Sequence, residues 1–194
     1  MTHKDHCEGC GEITPGYDSV HFGSMDKGYR LLCTRCFNAD VAKRNGLDDF
    51  ENIRLEPVGM TDRAGKTHQF HFRTRLLGDR VALEAFELRE GIPAGYQFQM
   101  IGDPEDDLFA LLARLIEKIR RRLAITHITD GKHGLQIAEQ TVRGRIDWDD
   151  SEVERTPLIV VDGREISWEE FGGMLMTFEG WQFKLEVRDP SDEI

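Results

Sequence analysis

No apolar run in the chain approaches the roughly 20 residues that an α-helix needs to cross a bilayer, so no membrane span is expected. The opening MTHKDHCEGC is polar and has no apolar h-region, which argues against a secretory leader. Nothing repeats, and no stretch is of low complexity. The phosphate-binding P-loop, the dinucleotide fingerprint, a serine–histidine–aspartate arrangement and the HExxH helix are all missing. Basic charge is in deficit, with 25 Lys and Arg against 36 Asp and Glu. That deficit is local. Residues 1–46 balance at six and six, residues 47–146 hold sixteen acids and fifteen bases, and residues 147–194 hold fourteen acids and four bases. A field of that sign repels phosphate backbones and disfavours nucleic acid as a partner. Cysteine is sparse as well. The chain has four, and each falls in a CxxC pair. In the cytoplasm, the expected location, such pairs bind metal rather than form disulfides.

The pairs are Cys7 and Cys10 in HCEGCGE, and Cys33 and Cys36 in RLLCTRCFNADVAKRNG. Four thiolates suit one tetrahedral zinc per chain, and a shell closed by four protein ligands marks a structural rather than a catalytic ion. A rubredoxin-like iron site usually has a glycine after both pairs, whereas Phe37 follows Cys36. A thioredoxin-like redox role needs one CxxC in a βαβ unit, which is absent. His3 and His6 are expected to face solvent. Gly9 and Gly11 allow the first pair to form a knuckle. The second pair runs into a helical pattern through Phe37 and Val41, ended by Asn45-Gly46 as a left-handed cap. Between them, YDSVHFGSMDKGYRLL reads as a hairpin turning around Asp26-Lys27-Gly28. This order of knuckle, hairpin and helix resembles the treble-clef zinc finger over about residues 5–46. The helix N-terminus is expected to favour thiolates at Cys33 and Cys36.

Beyond the finger, HQFHFRTRLL alternates. His68, Phe70, Phe72, Thr74 and Leu76 share one face, with Gln69, His71, Arg73 and Arg75 on the other. Gly78-Asp79 turns the chain into RVALEAFEL, where the apolar phase passes from Val81 and Leu83 to Phe86 and Leu88. That change predicts a bulge near Glu84-Ala85. AGYQFQMIG supplies another strand. A long amphipathic helix is expected to open at Asp103 and Pro104 and run to about Leu123, with Leu108, Leu111, Leu112, Leu115, Ile119 and Leu123 as its apolar stripe. LIVVDGREI reads as a hairpin turned at Asp162-Gly163. Ser167 and Glu170 make a capping box for a helix lined by Trp168, Phe171, Leu175 and Phe178. WQFKLEVR then alternates as a last strand burying Trp181, Phe183, Leu185 and Val187. The expected class is α+β: a treble-clef-like zinc finger (1–47), a mainly antiparallel sheet covered by one long helix (48–135), and an acidic ββαβ-like segment (136–194). The last segment is either independent or part of the same sheet.

Weaker candidates have bland counterparts. His71, Arg73 and Arg75, in a row, either bind an anion or partner or form a solvated sheet face. Arg114, Lys118 and Arg121 align on the long helix as possible phosphate contacts or as complements to its dipole. DWDDSE (147–152) lacks the ligand spacing of a calcium loop, and His127 and His133 have no catalytic company. Gly172 and Gly173 inside a predicted helix cost about 1 kcal/mol each against alanine. Close packing on a strand, or a partner backbone docking there, would explain them.

Taken whole, CxxC…CxxC followed by an α+β body and DGREISWEEFGGMLMTFEGWQFKLEV resembles a group of uncharacterised bacterial proteins. The resemblance implies the fold organisation and zinc, and nothing catalytic. The expected function is binding, with the acidic C-terminal segment meeting a protein partner, a basic one by its charge. The alternatives are a nucleic-acid-associated regulator using the finger and the basic helix end, and, less favoured, an enzyme with an unfamiliar site near His68 or His71.

Overall fold

The structure, a computed structural model, describes residues 5–26, 28–47, 49–50, 52–132, 134–149 and 156–192. His3, the predicted hairpin tip at Lys27, His133 and positions 150–152 of the acidic loop lie outside them. Among the described residues the chain is α+β, with antiparallel sheets and three helices. No helix among them is long and apolar enough to cross a membrane.

Strands β1 (Asp5–His6) and β2 (Ile13–Thr14) pair on either side of the first CxxC loop. A 3-10 turn (Gly16–Asp18) leads into the hairpin of β3 (Ser19–Ser24) and β4 (Gly28–Cys33). Helix α1 (Thr34–Asn45) follows directly, with Cys33 as its N-cap and Gly46 closing it at φ 68°, as the Asn-Gly signal predicts. Phe37, Val41 and Ala42 pack with Cys7, Leu32 and Leu76 in one cluster.

The central sheet has the order β5 (Val58–Thr61), β6 (Thr67–Leu77), β7 (Arg80–Arg89), β8 (Ile92–Gly102). Its inner face carries Phe70, Leu83 and Met100 against the leucine stripe of α2 (Leu108–Leu123). That helix starts later than the sequence predicts. Asp103 is held in a turn, its carboxylate accepting from the Glu105 N–H at 3.0 Å, and Asp107 is the N-cap, accepting from the Phe109 N–H at 2.8 Å. The bulge also moves. The register of β7 on β8 breaks between Phe86 and Glu87, leaving Gly95 and Tyr96 of β8 unmatched, and Glu84-Ala85 pair regularly. β7 is buried on both faces, with Val81, Leu83 and Ala85 in the α2 core and Phe86 against Tyr17 on the other side. Apolar residues at both parities imitate a phase slip.

The finger joins this sheet at an edge. β5 pairs only with Thr67–Phe70 of β6. Further along the strand, α1 turns Asn38 toward the backbone: its amide donates to the Thr74 carbonyl at 2.8 Å and its side-chain oxygen accepts from the Leu76 N–H at 2.9 Å. A buried carboxamide thus stands in for a neighbouring strand.

The C-terminal strands form separate sheets rather than extending the central one. β9 (Ile128–Gly131) and β10 (Gly134–Ile137) make a hairpin, and β11 (Gly144–Trp148), β12 (Pro157–Val161) and β13 (Arg164–Ser167) a three-stranded sheet. Helix α3 (Trp168–Leu175), capped by Ser167 onto the Glu170 N–H, covers β12 and β13 and passes into a 3-10 turn (Met176–Phe178). Ile128, Ile159, Val161, Ile166 and Met174 are the core. Three expectations fail here. α3 buries Met174, with Phe171 half-buried, whereas Trp168 and Leu175 are exposed. Gly172 and Gly173 have open space where a Cβ would stand, so close packing on a strand of this chain does not account for them. WQFKLEVR forms no strand. Trp181, Phe183, Leu185 and Val187 are 62%, 91%, 76% and 71% exposed, because no sheet edge among the described residues receives the segment.

Candidate metal centre

The knuckle, β4 and α1 bring the four sulfurs of Cys7, Cys10, Cys33 and Cys36 within 4.8 Å of one another. Tetrahedral thiolates around a zinc at about 2.3 Å lie about 3.8 Å apart, and the Cys10 and Cys33 sulfurs are 4.0 Å apart. All four cysteines are free, with no disulfide among them. The local backbone is shaped for sulfur. Gly9 and Cys33 donate N–H bonds to the Cys7 sulfur at 3.3 and 3.1 Å. A Cβ on Gly9 would stand 2.9 Å from the Cys36 sulfur, so only glycine fits there. Glu8 fastens the knuckle to β4, its N–H donating to the Leu31 carbonyl and its carboxylate accepting from the Leu31 N–H, both at 2.8 Å. Four soft donors, converging and oxidatively free, fit a thiophilic metal ion.

The thiols differ in acidity, and not as the helix dipole alone predicts. Burial pushes Cys7 up, but the N–H groups of Cys33, Cys10 and Gly9 outweigh it and bring the thiol down to about 6. Cys33 and Cys36 are pushed up, by burial first and then by crowding from neighbouring sulfurs.

The other predicted site residues do not assemble a site. The guanidiniums of Arg73 and Arg75 both bond Glu84 at 2.6 Å, and Arg73 also bonds the Tyr17 carbonyl. His71 lies against the Tyr17 and Phe86 rings. The row therefore forms a seam with Tyr17 of the Gly16–Asp18 turn. Arg121 is exposed, 3.7 Å from Glu117. Lys118, aligned with it in sequence, is buried, its ammonium donating to the carbonyls of Gln99, Pro190 and Asp192. His127 is buried and bonds the Thr141 carbonyl.

His68, named from the sequence as a histidine near a possible enzyme site, lies in a buried array with two carboxylates. His68, 2% exposed, holds Glu87 at 2.9 Å on Nδ1 and Asp62 at 3.1 Å on Nε2. The hydrogen bond to His68 holds the Asp62 carboxyl below its ordinary value. Burial, and then the carboxylates of Asp162, Asp62 and Glu87, raise the neighbouring Tyr96 phenol. Asp62 also lines a surface depression of about 660 Å3 with Arg63 and Arg120. Both ring nitrogens of His68 are occupied by carboxylates, so the ring offers no free edge to a substrate. A histidine within the apolar face of β6 was the available signal for a buried hydrogen-bonded array.

With this geometry in hand, the chain divides among known sequence families. Residues 6–48 match Domain of unknown function (DUF7685), residues 51–124 match Domain of unknown function (DUF7686), and residues 127–192 match Domain of unknown function (DUF7713). Each of the three matches covers less than half of the chain. The first match contains all four cysteines, the second ends one residue past α2, and the third holds the C-terminal sheets. No curated protein and no solved structure matches the chain.

Proposed function

We propose that the protein is a structural-zinc protein that works by binding another protein. The observation that carries the zinc reading is the closed set of four converging thiols, which leaves no place for a substrate or water on the metal. Knuckle, hairpin and helix in that order support a treble-clef finger, and four free thiols suit the reducing cytoplasm of a bacterial cell. The finger sits against β6 through Asn38 and Leu76, which suits a staple better than a moving reader of nucleic acid. Lys118, the middle of the three helix cations, is buried and unavailable to phosphate. For the partner we assign the acidic C-terminal segment, where exposed Glu165, Glu169, Glu170 and Glu179 surround exposed apolar side chains and suit a partner with a basic rim.

Metal analysis of the purified protein tests the first half. One zinc per chain is expected, and iron or no metal overturns the assignment. Affinity capture tests the second half: recovery of a protein insensitive to nuclease and lost when residues 144–192 are deleted is expected, whereas nuclease-sensitive capture favours the nucleic-acid alternative.

A further inference from the structure

The tail beyond Gly180 has the chemistry of a strand and none of the pairing. Trp181, Phe183, Leu185 and Val187 are all exposed. On its polar parity, Glu186 pairs with Lys184 at 2.6 Å and with Arg188 at 3.2 Å. Among the described residues, no backbone–backbone hydrogen bond involves residues 182–188. The C-terminal sheet has a matching gap. β11 pairs with β12 on one side only. Ile146 stands opposite buried Ile159, which stands opposite buried Ile166, yet Ile146 is 61% exposed. The apolar face of the sheet therefore runs out, uncovered, at β11.

We propose that residues 181–188 pair antiparallel with β11 of a second copy of this chain, with Leu185 opposite Ile146. Charge selects that register. It sets Lys184 opposite Asp147 and Glu186 opposite Arg145, with Phe183 opposite Trp148 on the apolar side. Keeping the apolar residues on that face permits slips of two residues only. One slip sets Lys184 against Arg145; the other sets Glu186 against Asp147 and Arg188 against Arg145. Parallel registers either oppose like charges or leave two of the four apolar residues beyond the ends of β11.

The segment's own β11 is the poorer occupant because both ends of the segment are tied. At one end the Trp181 N–H donates to the Phe178 carbonyl at 2.9 Å behind a left-handed Gly180. At the other, Lys118 holds the carbonyls of Pro190 and Asp192, each at 2.9 Å. A second copy reaches the segment with both ties intact, and a two-fold axis makes the exchange reciprocal, a form of β-strand addition. The inference goes beyond the binding role and does not depend on the metal.

The mass of the full-length protein in solution, by sedimentation, tests it. The wild type is expected to be a dimer at micromolar concentration. Lys184→Asp and Asp147→Lys, each alone, oppose like charges and should raise the dimer dissociation constant roughly tenfold or more. Mixing the two variants should restore a one-to-one dimer, since each altered side chain then meets its complement in the other chain. Leu185→Glu changes an exposed side chain and should give a monomer with unaltered unfolding. A monomeric wild type, a mixture that stays monomeric, or a Leu185→Glu chain that remains a dimer overturns the proposal. So does a dimer lost with Lys184→Asp but kept with Asp147→Lys, which would mean tail pairing with tail.

Discussion

The two ends of the molecule carry equally regular sequence patterns and meet different fates. At the N-terminal end, paired cysteines and the helix behind them are drawn into the body of the protein. Leu76 of the central sheet is part of the finger's core, and Asn38 of the finger completes the edge of β6. At the C-terminal end, four apolar residues alternate over WQFKLEVR and all remain in water. The difference lies in what each pattern needs. Four thiols find one another and carry their own geometry. Alternation states only that a strand has two unlike faces, and the edge that would receive it must come from elsewhere.

The largest effect that sharpens this contrast is expected from Cys33→Ser. Serine is a good N-cap, so the helix start keeps its cap and the lost thiolate is what is measured. Structural zinc contributes on the order of 10 kcal/mol to small metal domains. Hydrogen exchange should show protection lost through residues 19–45 and also at Thr74 to Leu77 of β6, where Asn38 and Leu76 transmit the change. Protection retained throughout β6 would break the idea that the finger is built into the sheet.

Next comes a matched pair of substitutions. Leu76→Ala removes a fully buried side chain shared by finger and sheet and should lower unfolding free energy by about 2–5 kcal/mol. Leu185→Ala, at a position 76% exposed, should stay within about 0.5 kcal/mol. Denaturant unfolding of both at a concentration too low for association measures the contrast directly. Equal losses would mean that the tail is packed in solution.

Why one end was legible and the other was not follows from these particulars. The convergence of the four cysteines, the turn at Gly78-Asp79, the Gly46 cap, the Ser167 cap and the stripe of α2 depend on short-range chemistry, and each stands where the sequence places it. Asp103 lost its helix because Asp107 caps it instead, a competition between two adequate N-caps that sequence does not rank. The slip read into RVALEAFEL came from a strand buried on both faces. Asn38, the Asp62–His68–Glu87 array and Lys118 were illegible because their partners are distant in sequence. A polar residue in an apolar pattern says that a partner exists without saying which.

A smaller loss is expected from Asn38→Ala. It strands the Thr74 carbonyl and the Leu76 N–H away from water, and an unsatisfied buried group costs about 1–3 kcal/mol. Thermal unfolding should show a loss of roughly 2–4 kcal/mol. Metal content should be unchanged, because none of the four cysteines is touched. Zinc lost together with stability would mean that the edge contact also positions the cysteines.

The smallest effect should come from Lys118→Met, at a cation that ties the tail to the body. Its ammonium is buried among three backbone carbonyls, but those of Pro190 and Asp192 lie on the exposed tail and can turn to water once the donor is gone, so the buried loss is confined to the Gln99 carbonyl. Global unfolding should therefore shift little. The carbonyls of Pro190 and Asp192 lose their common donor, so the C-terminal end of the tail should come free, and limited proteolysis at Lys184 and Arg188 should accelerate while sites in the finger keep their rates. A large drop in global stability instead would show that the tail, for all its exposed apolar surface, is held by the protein's own core, and the contrast between the two ends would fall.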